Sequence, residues 1–341
     1  MHHYYLNTSP LGFAEFCADK NYVDKTGLIQ YVNALVNRKG KLILVSRPRR
    51  FGKTYTAQML KAYYTHGYDT ETLFQDKIIR RMDPNLTNRG RFDVIYLDMV
   101  KVRGFARSEQ AVLDARAAGK GRALDWIEYL SDSIIRELGD AYGPDVVSEK
   151  SLTRTLVNTV LKTGRKFVWI CDEWDNFFRE PVDDPYAREK YLDLLRSLFK
   201  DADTTATVFA AAYLTGILPM VRTKGESALT EFDNYTMFTP GGLAEYIGFT
   251  EGEVRALLER NPDCGISYEQ LAGWYEGYSF SGVGPLFNPR SVIQAIQFQQ
   301  CTSYWTDSAS NEHFKQLVAL QRDTLRLDVE RLLKGGRCAC R

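Results

Sequence analysis

The chain has 341 residues, 44% apolar and 26% charged, ordinary usage for a globular protein with a sizeable core. Lys plus Arg (44) nearly cancel Asp plus Glu (43), which argues against a nucleic-acid coat or a membrane-surface protein. No apolar run reaches the roughly 18 residues of a membrane span, and the first 13 residues lack the basic start and apolar stretch of a secretory signal. A reducing cytoplasm is the expected setting. The six cysteines are scattered, and Cys338-Ala-Cys340 lacks the second ligand pair that a zinc site needs.

In chain order, residues 41–46 form a short apolar, β-rich run, and a helical segment follows from 52 to about 66. Arginine, proline and glycine make the turn between them. A second strand is expected over 92–99. Residues 122–138 place Ala123, Trp126, Ile127, Leu130, Ile134 and Leu138 at helical spacing. A helix over 152–161 leads to a strand at 166–171, which ends on Asp172-Glu173. Residues 186–200 return to the helical period, with Tyr191, Leu194, Leu195, Leu198 and Phe199 on one side. A further strand, 206–214, ends on Thr215-Gly216.

Strands alternating with helices predict an α/β fold, a parallel sheet with helices on both faces. After Thr239 the texture changes to short helices with strong start signals. Thr250 with Glu253 and Ser267 with Gln270 are capping boxes, and Asn288-Pro289 is a cap followed by proline at the first helical position. The expected organisation is an α/β domain over 1–239 and a small all-helical domain over 240–341.

The chemistry centres on Arg47-Pro-Arg-Arg-Phe-Gly-Lys-Thr54. A phosphate group needs inward-pointing backbone N–H groups, a helix N-terminus behind them and a cation that reaches it. Gly52 permits close backbone approach, Lys53 supplies the charge, and the Thr54 hydroxyl can ligate Mg²⁺. The full phosphate-loop pattern has glycine where this chain has Arg47, so the motif alone is weak, and a basic turn capped by a helix is the bland alternative. Support comes from the apolar strand 166–171, which delivers Asp172 as a metal-side acid and Glu173 as a general base for attacking water. The bland alternative for Asp172 is a helix cap. Thr215, at the end of the next strand, is a candidate sensor of the terminal phosphate. Arg47 and Arg50 are expected to face solvent or a salt bridge.

Several strings, in order, resemble the bacterial AAA-ATPase-like family. They are Tyr22-Val-Asp-Lys-Thr26, the Arg47–Thr54 turn, Asp172-Glu-Trp-Asp175 and Leu214-Thr-Gly-Ile217. Gly248-Phe-Thr-Glu251, Trp274-Tyr-Glu-Gly-Tyr278, Asn288-Pro289 and Tyr304-Trp305 follow. The resemblance implies a P-loop NTPase core of the AAA/STAND-like kind, with ATP and Mg²⁺ as cofactors. It places Lys53 and Thr54 on phosphate and metal, Asp172 on the metal side and Glu173 in catalysis. Arg49, Phe51, Gly52 and Tyr55 complete the nucleotide-binding turn, and Asp24 and Lys25 lie where the chain would wrap the adenine. Members usually carry tyrosine where this chain has Trp174, a change of packing that leaves the acids in place. Many members continue into a nuclease-like domain of the PD-(D/E)XK type. Leu332-Leu333-Lys334-Gly335 resembles the junction to it, and 335–341 is expected to be poorly packed.

The reading is therefore Mg²⁺-dependent ATP hydrolysis, slow and coupled to a conformational change. The rivals are a nucleotide-gated interaction module with little turnover and a small-molecule phosphotransferase. A protein partner or a homo-oligomer fits such an ATPase, and nucleic acid enters only through the family resemblance.

Overall fold

A computed structural model describes residues 3–116, 125–179, 185–220, 230–280 and 282–304. The calls on 122–124, on Trp305 and on the C-terminal junction lie outside the described residues.

The main sheet has five strands, β1 (Leu42–Ser46), β2 (Asp93–Asp98), β3 (Phe167–Asp172), β4 (Phe209–Gly216) and β5 (Asp233–Tyr235). They run in the order β2-β3-β4-β1-β5, and every pairing is parallel. The first four are almost wholly buried, as continuous apolar runs require when both faces are covered. Their side chains divide by alternation. Leu42, Leu44, Ile95, Leu97, Trp169 and Leu214 join a core with the helices Trp126–Tyr142, Leu152–Thr163 and Pro185–Phe199. Ile43, Val45, Val94, Tyr96, Ile170 and Tyr213 join another with Gly27–Leu35 and Lys53–Tyr64.

Two boundaries differ from expectation. The first residues of the run expected as a strand over 206–214 close the helix Ala202–Val208, which Asp201 caps through the Thr204 amide. The apolar run continues through both elements, so composition gave no break. The helix Trp126–Tyr142 begins after Asp125, whose side chain accepts from the Ile127 and Glu128 amides.

The all-helical reading of the C-terminal part is corrected. Residues 249–287 contain a three-stranded antiparallel sheet, β6 (Phe249–Thr250), β7 (Glu276–Phe280) and β8 (Gly284–Phe287), in the order β6-β8-β7. Strand β7 is largely exposed and so carries no apolar alternation to read, while Gly282 and Gly284 turn the hairpin at φ 82° and 81°. The expected helices are there. Thr250 and Ser267 both form complete capping boxes, and Asn288 caps Pro289–Phe298 by accepting from the Ser291 amide. Leu257, Leu271, Phe287, Val292 and Ile296 make a separate core, joined by Val23 from the N-terminal segment. Among the described residues no helix is long and apolar enough to cross a membrane.

Candidate functional site

The carboxyl ends of the parallel strands gather the polar residues, as open α/β sheets do at their ligand clefts. Ser46 ends β1 opposite Gly216 of β4, and Asp98 ends β2 opposite Asp172 of β3. The amide of Arg47 extends the β1–β4 pairing by donating to the Gly216 carbonyl, and the Trp174 amide donates to the Thr215 carbonyl. Gly52 then takes φ 87° and caps the helix Lys53–Tyr64 without a side chain. The amide N–H groups of Gly52, Lys53, Thr54 and Tyr55 meet no acceptor among the described residues, leaving a first-turn donor row open to an anion.

Those groups open into a cavity of about 900 Å³ lined by Arg49, Arg50, Phe51, Gly52, Lys53, Thr54, Tyr55, Lys25, Asp98, Asp172, Glu173 and Arg179. Its lining also includes Phe16, Tyr22 and Val23 from the N-terminal segment and Phe249, Arg290, Ile293 and Gln294 from the C-terminal part. This size suits a nucleotide-sized ligand.

Lys53 is buried, and its ammonium donates to the carbonyls of Arg47 (3.1 Å) and Pro48 (2.9 Å). Burial pushes its pKa down, against the pull of Glu173, Asp172 and Asp175. Asp172 is also buried. Loss of water pushes its carboxyl up, opposed by hydrogen bonds from Thr215 and Thr54. The Thr215 hydroxyl donates to Asp172 Oδ1 at 2.5 Å. Thr215, expected as a sensor of a terminal phosphate, is fully buried and is not among the residues lining the cavity. It holds Asp172 from beneath.

Glu173 faces the cavity with its backbone at φ 55° and is paired with Arg179. Arg179 also lies 3.1 Å from Asp175 Oδ2, which accepts from the Ile217 (3.0 Å) and Leu218 (2.8 Å) amides. Arg179, Asp175 and the turn after β4 thus form one network behind Glu173.

Other expected residues make contacts within the protein. Asp24 is not on the cavity wall, and its carboxylate accepts from the amides of Thr26 (2.8 Å) and Ile78 (2.7 Å). Lys25 reaches the wall, but its buried ammonium donates to the Glu245 carbonyl at 2.6 Å and pairs with Glu253 at 2.5 Å. Tyr55 donates to the Val23 carbonyl at 3.3 Å. The Phe51 ring packs edge-on against Tyr278, centroids 5.8 Å apart. The solvent reading of Arg47 is overturned. The side chain is buried and donates from Nη1 to the Ser46 and Tyr235 carbonyls, both at 3.1 Å, which anchors the turn to β5. Burial lowers its pKa to about 10. Arg50, by contrast, is exposed.

Sequence reasoning missed Asp98, Arg179 and Arg290. Asp98 carried a signal, an acid ending an apolar strand as Asp172 does. Arg179 and Arg290 carried none, because only the fold brings them to the cavity.

The parallel sheet is covered on both faces and bears this turn at its strand ends, an α/β arrangement consistent with a P-loop-like fold. The chain belongs to the predicted AAA-ATPase family, whose family model matches residues 12–224, more than half of its length. Among curated proteins none matches it.

Proposed function

We propose that the chain binds ATP with Mg²⁺ at the Arg47–Thr54 turn and hydrolyses it slowly. The observation that carries this is the row of amides from Gly52 to Tyr55, open to the cavity, with the buried ammonium of Lys53 beside it. Together they offer backbone donors and a cation to a chain of phosphates. Arg49, Phe51 and Tyr55 wall the same turn, and Lys25 bounds the end where the base lies, through its side chain's stem rather than its charge.

Among the described residues no three or more His, Cys, Asp and Glu side chains form a metal cage. A magnesium ion that keeps waters and phosphate oxygens needs only one or two protein oxygens. The Thr54 hydroxyl and the Asp172 carboxylate, both on the cavity wall, are hard donors that fit it. When bound, the ion would neutralise phosphate charge. Thr215 orients Asp172 for this role, and Lys53 exchanges its two loop carbonyls for phosphate oxygen. Glu173 accepts a proton from water in line with the scissile bond, once Arg179 releases its carboxylate.

A second reading, ATP binding with almost no turnover, draws on that same Glu173–Arg179 pair, which occupies the proposed base. One experiment separates the two. With saturating Mg·ATP, phosphate release by the parent should fall on the order of 10²–10⁴-fold in Glu173→Gln, with affinity kept. Equal rates in the two proteins would remove Glu173 as the base and leave the binding-only reading.

A further inference from the structure

The segment that follows β3 meets the cavity at every third residue. Glu173, Asn176 and Arg179 line it, and Trp174, Asp175, Phe177 and Phe178 do not. That spacing is one face of a helical turn. Glu173 leaves β3 at φ 55°, its carbonyl accepts from the Asn176 amide at 2.9 Å, and the short helix Asn176–Arg179 begins there. Asn176 is the uncharged member of the three. It is 4% exposed, and its Oδ1 has no hydrogen-bond partner among the described residues.

A buried carboxamide oxygen without a donor is costly, and water is the ordinary remedy where a cavity supplies it. Asn176 stands on such a wall. The other unpaired atoms nearby, Trp174 Nε1 and Asp175 Oδ1, belong to residues off that wall. A water taken up by Asn176 Oδ1 lies beside Glu173, one turn earlier, whose carboxylate Arg179 holds from one turn later.

We infer that Asn176 is a second catalytic residue, whose Oδ1 holds the attacking water jointly with the Glu173 carboxylate. The inference rests on the hydrolysis reading above and adds a second acceptor to its base. A water bound to one acceptor can still turn about that bond. Two acceptors fix both its protons and leave a lone pair free to face the phosphorus. In the step, the water oxygen bonds to the terminal phosphorus as the bond to the leaving diphosphate oxygen breaks. Glu173 takes one proton, and the other stays on the new phosphate, still donating to Asn176. A carboxamide suits this place, because it accepts a hydrogen bond without competing for the proton and sets no like charge beside Glu173.

The test is steady-state phosphate release from Mg·ATP by the full chain, for the parent, Asn176→Leu, Glu173→Gln and the double variant. Calorimetric titration with the non-hydrolysable imido analogue of ATP and melting temperatures are taken on the same samples. Leucine keeps the approximate shape and removes the acceptor. Asn176→Leu should lower kcat about tenfold, with KM and analogue affinity within about twofold. It should melt no lower than the parent, because an unpaired buried polar group has gone. In the Glu173→Gln background the same change should cost much less, since both residues act on one water. Losses that multiply in the double variant would assign Asn176 to structure and overturn the inference, whatever the melting temperatures. So would a loss carried by analogue affinity instead of kcat. Unchanged turnover in Asn176→Leu, beside a slowed Glu173→Gln, overturns it while sparing the hydrolysis reading. A parent without turnover ends that reading, and this inference with it.

Discussion

The two ends of the cavity are built by different means. At the end proposed to take phosphate, Lys53, Thr54, Asp172 and Glu173 sit on the tips of β1 and β3 and on the first turn after them, each positioned by its own strand. At the other end, the segment around Val23 is held by the C-terminal residues across large sequence distances. Lys25 pairs with Glu253, Arg260 donates to the Tyr22 carbonyl at 2.8 Å, and Asn261 donates to Asn21 Oδ1 at 2.9 Å. The first end is a property of the sheet. The second exists only when two distant parts of the chain dock. Ligand contacts built on strand tips should tolerate loosening of that docking, and the wall around Val23 should not.

Lys25→Met attacks the docked end. It leaves Glu253 without its cation and should cost about 3 kcal/mol in a urea titration, because removing one partner of a largely buried pair strands the other. A loss below about 1 kcal/mol would mean that the wall is held by its apolar core alone. Gly216→Ala attacks the strand-tip end. A Cβ there would lie 2.6 Å from Trp174 and 2.7 Å from Asp175 Oδ1, so overpacking should cost about 2 kcal/mol. Its melting temperature should fall, and turnover should fall with it as the Asp172–Asp175 segment shifts. Full activity at lowered stability would separate this packing from the site.

Thr215→Val is nearly isosteric and removes the donor beneath Asp172. About 1 kcal/mol of stability should be lost, together with a weaker Mg²⁺ dependence of nucleotide binding measured by titrating the metal. The gentlest test is pH. Lys61 is buried, 5.0 Å from the centre of the Tyr96 ring, and burial followed by the Lys101 charge lowers its pKa from 10.5 to about 8. Between those values the unfolded chain binds more protons than the folded one, so stability should rise with pH across that window, by up to about 1 kcal/mol per pH unit. Lys61→Met should abolish that slope and raise the melting temperature at pH 7. A slope unchanged in the variant would assign the effect to other lysines.

The strand tips were legible in the sequence because an apolar run ending abruptly in acid or in Gly-Lys-Thr is a local pattern. Hence the parallel sheet, the turn and the Asp172-Glu173 pair emerged from residues alone. Arg47 was misjudged, since nothing local says that an arginine in a basic turn will point inward to the Tyr235 carbonyl. The hairpin of β7 and β8 was hidden because its first strand is exposed and its turn is glycine. Of Asp24 and Lys25 only Lys25 reaches the cavity wall, and the partners that occupy the two, Ile78, Glu245 and Glu253, come from remote segments that no local pattern announces.

The central claim is that the Arg47–Thr54 turn binds the phosphates of ATP. Calorimetric titration of Mg·ATP into the parent and into Lys53→Ala, with melting temperatures taken on the same samples, tests it most directly. Lys53 is a buried cation of the turn, and among the described residues its ammonium donates to the turn's own carbonyls. Its removal should therefore weaken binding by on the order of 100-fold or more in a protein that stays folded. Unchanged affinity in a folded Lys53→Ala protein would contradict the account.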